Sequence, residues 1–305
     1  MYPVWLLCRC LQVSREAYYG WLRRKAMPKV PDDSIKAAVK QMFDFHKGRY
    51  GVRRISAALK ETGIKAGCYV VRRVMRESGL KAKYPRSFRP RTTDSRGVKA
   101  SPNLLKDTDN TALTAGEVLV GDITYLPLTN GRFCYLAMFQ DKVTKRLAGW
   151  SVDTNMRAGL VTEALGMALR RDFVKRDAII HTDRGSQYGS SEFRERLERC
   201  GLRQSMSAKG NCYDNAQAES FFSRFKTEVG MKLFNSVEEV RSIAFDYIDC
   251  YYNRIRLHST LGTTIPKFEQ RLKEAEKLAE NSSGCGNMGK PQNRLSHIPT
   301  TTTTR

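Results

Sequence analysis

Apolar positions recur at helical spacing through the first eighty residues and at strand spacing after residue 116, so the chain reads as an all-α first third followed by an α/β remainder. An apolar helix end runs into a turn at Leu11, Gln12 and Val13, and a second helix, capped by Ser14, carries Ala17, Tyr18, Trp21 and Leu22 at helical spacing. Residues 1–30 read as a partial helix-turn-helix segment, although an ordinary helical hairpin fits this fragment equally well. Residues 31–80 repeat the pattern with Val39, Met42 and Phe43 on one helix, Ile55, Ala58 and Leu59 on the next, and Val70, Val71, Val74 and Met75 on a third. Breaks fall at residues 48–51, Gly63 and Gly79.

From 81 to 115 the periodicity fades, Pro85, Pro90 and Pro102 interrupt, and basic residues accumulate, which reads as a linker. Strands are then expected over 118–128, 133–141 and 146–152, the first two joined through Asn130-Gly131, a strong hairpin signal. A helix over 156–171 acts as a crossover, so that a fourth strand, 178–182, lies parallel to the first. A helix over 191–200, a short strand over 202–206 and a polar loop over 207–215 lead to a helix containing Glu219, with further helices over 237–252 and 267–279. Three antiparallel strands, a crossover helix and a parallel fourth strand are the order of a ribonuclease-H-like fold. The expected fold is thus an α/β ribonuclease-H-like domain over 116–280, a mixed five-stranded sheet with flanking helices, preceded by all-α helix-turn-helix modules. The Gly, Ser, Asn and Thr rich residues 281–305 read as a disordered tail.

Charge changes this picture. The 305 residues carry 53 Lys and Arg against 31 Asp and Glu, a formal net charge of +22. Residues 1–115 hold 25 basic and only 9 acidic side chains. Such a surface binds a polyanion with regular phosphate spacing and releases counterions in doing so. Arg53, Arg54, Arg72 and Arg73 interrupt the apolar stripes of the 31–80 unit, giving it one basic face and a last helix free to enter a major groove; the plainer alternative is that they keep three helices soluble. The eight cysteines show no Cys-x-x-Cys pair and no matched Cys/His spacing, so they read as reduced thiols of a cytoplasmic protein rather than as disulfides or a zinc site. The apolar run from Val4 to Cys8 is too short for a signal sequence or a membrane span.

Against so basic a background, three acids stand out. Asp122 lies in the first expected strand, Asp183 ends the fourth, and Glu219 follows after 35 intervening residues. Neighbouring first and fourth strands bring Asp122 and Asp183 together. Ala218, Phe221, Phe222 and Phe225 form an apolar stripe that sets Glu219 at the edge of a buried helix face. Like charges about 4 Å apart repel by about 4 kcal/mol at an effective dielectric near 20, so three carboxylates in one place call for cations. Oxygen-only ligands suit Mg2+ or Mn2+, and a pair of such ions serves in-line displacement at a phosphodiester by water or a 3′-hydroxyl.

Three segments carry a family resemblance: Gly-Asp-Ile-Thr-Tyr at 121–125, His-Thr-Asp-Arg-Gly-Ser-Gln-Tyr at 181–188, and Gly-Asn-Cys-Tyr-Asp-Asn-Ala-Gln-Ala-Glu-Ser-Phe-Phe at 210–222. With Tyr-Asn-Arg-Ile-Arg-Leu-His at 252–258 and Tyr50-Gly51 before Arg53-Arg54-Ile55, the chain resembles insertion-sequence DDE transposases related to retroviral integrases. More narrowly, it is similar to the second-reading-frame protein of the insertion sequence three family. The resemblance implies a DNA strand transferase and endonuclease with Asp122, Asp183 and Glu219 as catalytic residues and metal ligands, and two Mg2+ or Mn2+ ions per site. It also implies double-stranded DNA and a homo-oligomer as partners, with an upstream-frame helix-turn-helix protein or fusion segment as a further one. Arg184, Gln187 and Tyr188 follow Asp183 directly, Lys226 lies two helical turns beyond Glu219, and Arg256 and His258 sit in the late motif; all are candidates for DNA contact, with a solvated lysine at 226 and a packed histidine at 258 as equal alternatives. Asp214 or Asn215 is the expected cap of the Glu219 helix. The alternative to an enzyme is a non-catalytic DNA-binding repressor or inhibitor acting through residues 1–115.

Overall fold

Glycine sets the stops of the helical third. Helix α4 (Val52–Glu61) ends at Gly63, whose φ of +84° is open to a residue without Cβ; Gly63 N–H bonds Lys60 C=O at 3.2 Å and Ile64 N–H bonds Leu59 C=O at 2.9 Å. Helix α5 (Cys68–Glu77) closes the same way through Gly79 and Leu80. Together with α3 (Asp33–Phe45) they enclose Val39, Ile55, Leu59, Val71 and Val74, the core expected from their spacing. Ahead of them, α1 (Val4–Cys10) and α2 (Arg15–Ala26) form a hairpin in which Ser14 Oγ caps α2 by accepting from Ala17 N–H at 3.0 Å.

The computed structural model describes residues 3–26, 33–84, 101–106, 108, 112–207, 216–230 and 233–283. They belong to two compact units, Met1–Lys83 and Tyr84–Arg305.

In the second unit β1 (Val118–Pro127) and β2 (Phe133–Asp141) pair antiparallel across the expected turn, where Gly131 has φ of +77°. Strand β3 (Leu147–Asp153) pairs with β2, and helix α6 (Ala158–Arg170) crosses over to β4 (Ile179–Thr182), which lies parallel to β1. Helix α7 (Ser191–Arg199) leads to β5 (Arg203–Met206), parallel to β4. The sheet order is β3-β2-β1-β4-β5, so β1 is central. One face is covered by α6 and α7 over Leu119, Phe139, Leu160, Leu165, Ile180 and Phe193. Helix α6 lies so close to β3 that a Cβ on Gly149 would stand 2.1 Å from Ala164 O and 2.6 Å from Ala168 N. The Gly149→Ala change must push the helix backbone away. It is expected to destabilise this unit by about 3 kcal/mol, read as a lowered denaturation midpoint.

Helix α8 (Ala216–Val229) packs on β1 and carries Glu219 in its first turn. Helix α9 (Val237–Phe245) continues as a π-helical segment, Asp246–Tyr252, then a two-stranded ladder of β6 (Leu257–His258) and β7 (Thr263–Thr264), and α10 (Ile265–Ser283). Among the described residues no helix is long and apolar enough to cross a membrane.

Three expectations change. The helix expected over 237–252 is α-helical only to Phe245. Its π-helical end is tied to the sheet by side chains: Tyr252 Oη accepts from Gln140 Nε2 at 2.9 Å, and the next residue, Asn253, bonds both Leu147 N–H and C=O at 3.0 Å. Part of the expected linker instead docks on β5: Ser101 Oγ donates to Gln204 Oε1 at 2.7 Å and Leu104 N–H to Ser205 Oγ at 3.0 Å. Residues 281–283 of the expected tail are helical. Residues 85–100 of that linker and 284–305 of that tail lie outside the described residues, as does the loop 208–215 with Asp214 and Asn215.

Candidate active site

Because β4 runs parallel to β1 with Gly121 opposite Thr182, the next residue on each chain, Asp122 and Asp183, emerges at the same end of the sheet. On the opposite face, a Cβ at Gly121 would fall 2.5 Å from Phe139 Cε1, so the phenylalanine ring fills the space that a side chain there would need. Each aspartate has one oxygen held by backbone. Asp122 Oδ1 accepts from Ile123 N–H at 2.8 Å and Asp183 Oδ1 from Gly185 N–H at 3.0 Å.

The third acid depends on α8, which is fastened near both ends. In its first turn, Gln217 Nε2 donates to Asp141 C=O at 2.9 Å and Gln217 Oε1 accepts from Lys145 Nζ at 2.7 Å. In its last turn, Glu228 is buried and ion-paired with Arg256 at 2.7 Å, while Tyr247 Oη donates to Glu228 Oε2 at 3.0 Å. Between these anchors Ala218, Phe221, Phe222 and Phe225 are buried as their spacing predicts, and Glu219 is exposed beside them.

The charges of the three acids meet at Asp122. Burial, then the charge of Asp183, and also that of Glu219 push the Asp122 carboxyl up to about 8, against the pull of the Ile123 amide and Lys226. Burial also raises Asp183, against its Gly185 amide bond. Lys226 is held below its ordinary value by burial, opposed by the attraction of Asp122. Among the described residues no group of three or more His, Cys, Asp or Glu side chains is arranged to hold a metal ion. The donor set nonetheless suits a hard divalent cation: carboxylate oxygens only, two of them fixed by amides, in mutual repulsion that a cation relieves.

The other candidates separate into three groups. Arg53 and Arg72 are exposed, Arg73 is half-buried, and Arg54 is half-buried with its guanidinium 5.7 Å from the centre of the Tyr50 ring. Arg184 and Gln187 bind backbone, Arg184 Nε donating to Ser207 C=O at 2.9 Å and Gln187 Nε2 to Met156 C=O at 3.0 Å; both therefore brace loops around the aspartates. Arg256 and His258 are buried, only 3% and 5% exposed, and neither is presented to solvent in this structure. Arg256 is spent on Glu228, and His258 Nε2 lies 3.3 Å from Tyr252 C=O with its ring edge-on to Tyr252. Tyr188, too, is buried at 2% and does not face solvent. Sequence reasoning missed Gln217 and Glu228 as the anchors of α8. A signal existed for the second, since Glu228 falls on the line of Ala218, Phe221 and Phe225, where a carboxylate must find a buried partner.

A five-stranded mixed sheet with a crossover helix and a further helix packed on its central strand is the architecture of an integrase-type core. Residues 113–212 and 200–266 match integrase core domain families, and residues 31–88 match an HTH-like domain family. The transposase InsF for insertion sequence IS3A of Escherichia coli (strain K12) is 39% identical over 273 residues, 87% of this chain and 93% of that protein. An insertion element IS600 31 kDa protein of Shigella sonnei is 37% identical over 263 residues, 85% of this chain and 96% of that one. The solved HTLV-2 integrase catalytic core domain in complex with magnesium aligns with a TM-score of 0.40 and 15% identity, covering 51% of this chain and 97% of that chain. The chain belongs to the family of IS3-type insertion-sequence transposases.

Proposed function

We propose that this transposase cuts and rejoins the DNA ends of its insertion sequence with Asp122, Asp183 and Glu219 as catalytic carboxylates and as ligands of two Mg2+ or Mn2+ ions. The observation that supports this is the convergence of the three charges on Asp122, from two adjacent strands and a helix fastened at both ends. Such ions, when bound, would supply the positive charge that stabilises the attacking and leaving oxygens of in-line displacement by water or a 3′-hydroxyl.

The remaining work falls to the chain's own groups. The Ile123 and Gly185 amides fix one oxygen of each aspartate, leaving the other to face a ligand. Asp122, pushed up to about 8 chiefly by burial, would have to be ionised to serve as a ligand. Lys226 lines a largely apolar cavity of about 270 Å³ with Tyr125, Phe225 and Phe234, and is the group placed to take a phosphate of the DNA end. In the helical unit, Arg53, Arg54, Arg72 and Arg73 bind the DNA backbone and present α5 to a major groove. Joining two ends calls for at least two active sites, hence a homo-oligomer on DNA.

Labelled element ends with Mg2+ test the reading. The wild type is expected to nick and join them, and Asp183→Ala to bind them as well but do neither. If the wild type binds and does not cut, including when an upstream-frame helix-turn-helix segment is supplied, the non-catalytic repressor reading replaces this one.

A further inference from the structure

The turn that joins β2 to β3, residues 141–146, touches both the strand that carries Asp122 and the helix that carries Glu219. Lys142 N–H bonds C=O of Val118, the first residue of β1, at 2.9 Å. The turn is braced from within: Asp141 Oδ2 accepts from the Thr144 amide at 2.7 Å and from its hydroxyl at 2.8 Å, and Lys145 C=O accepts from Gln140 Nε2 at 2.8 Å. Lys145 stands in this turn with φ of +63°, the left-handed region, where a Cβ is strained and glycine is at ease. The backbone there does not ask for lysine. Its side chain makes the join: Lys145 Nζ donates to Lys142 C=O at 2.7 Å and to Gln217 Oε1, in the first turn of α8, at 2.7 Å. Gln217 returns a bond to the turn, from Nε2 to Asp141 C=O at 2.9 Å.

Glu219 lies two residues beyond Gln217 and is exposed, so the helix backbone, not packing around the carboxylate, sets its place. We infer that Lys145 is a positioning residue: through Gln217 it fixes the first turn of α8 to the β2–β3 turn, and thereby sets where Glu219 stands against Asp122. This rests on the proposed reading of the two acids as parts of one catalytic site. The first turn of a helix lacks intrahelical acceptors for its amides and opens more readily than the packed core, so a side-chain clamp there governs local geometry more than global stability. A reacting group displaced by about 1 Å can lose about 100-fold in rate, which makes such a clamp matter to the chemistry without touching it.

The test compares the full-length wild type, Lys145→Gly, Gln217→Leu and the double variant by thermal denaturation, by hydrogen exchange of the amides at 217–222, and by cleavage of labelled element ends with Mg2+ over a range of DNA concentrations. Lys145→Gly is expected to melt with the wild type, since glycine is unstrained at this φ, yet to exchange those amides about tenfold faster and to cleave about tenfold more slowly with KM for DNA unchanged. The double variant is expected to match Gln217→Leu alone, because Lys145 acts through Gln217. Unchanged exchange in Lys145→Gly overturns the inference, and so does faster exchange with wild-type cleavage. A melting temperature that falls along with the activity overturns it as well, by showing an ordinary structural bond. Effects that multiply in the double variant do the same, by placing the action of Lys145 elsewhere than on Gln217. A wild type that cuts nothing removes the proposed function, and the exchange at 217–222 alone then decides for or against Lys145.

Discussion

Asp122→Asn is expected to leave the protein folded and able to bind DNA, to cut strand cleavage by on the order of 10³-fold, and to stabilise the metal-free protein at pH 8. On the proposed reading, the activity loss follows from removing a ligand of an ion that would contribute several kcal/mol of charge stabilisation, at about 1.4 kcal/mol per tenfold in rate. The stability gain follows from linkage. Asp122 titrates at about 8 in the folded protein, against 3.8 for an unperturbed aspartate. Between roughly pH 4 and pH 8 the folded state therefore holds a proton that the unfolded state has released. Stability from this group is fully present below pH 4 and is lost as the pH rises to 8. The span is on the order of several kcal/mol. Asparagine carries no such proton, so the difference in unfolding free energy between the two proteins should be near zero at pH 4 and grow steadily to pH 8. Denaturant unfolding in the presence of a chelator measures it. A flat difference across that range would show that the Asp122 carboxyl is neither buried nor in the field of the other two acids.

The Arg256→Met protein is expected to lose about 3–5 kcal/mol of stability, because Glu228 would be left buried and charged without its cation. The side chains of this pair are only 4% and 3% exposed, and Tyr247 and the Tyr252 ring, 5.4 Å from the guanidinium, complete the enclosure. Activity should fall by more than the loss of folded protein explains, since α8 would be released at the end opposite Glu219. Replacing both partners, Glu228→Leu with Arg256→Met, should recover much of the stability, as apolar pairs of similar volume commonly match buried ion pairs. A double-mutant cycle in chemical denaturation gives the coupling directly. Coupling near zero would reduce the pair to a bystander.

What could be read from the sequence was local or periodic. Strands β1 and β2 declared themselves through Asn130-Gly131, and the crossover helix through its stripe of Leu160, Val161, Ala164, Leu165 and Ala168. That Asp122 and Asp183 each follow a residue of one cross-strand pair, Gly121 and Thr182, came from strand order alone. Contacts between distant residues were not legible. Arg256 read as a basic residue available for phosphate because its partner, Glu228, lies on another element, 28 positions earlier. Residues 101–105 have no periodicity to betray them, since they dock through single hydrogen bonds to Gln204 and Ser205. The π-helical turn was hidden for a similar reason: its geometry answers to Gln140 and Leu147 on the sheet, not to spacing within 246–252.

Those same attachments lie along the borders of the sheet. On β3 the backbone groups of Leu147 and Val152 are already taken by the side chains of Asn253 and Arg241, and β5 is lined by the chain at 101–104. An incoming strand would meet these bonds at both borders of the sheet.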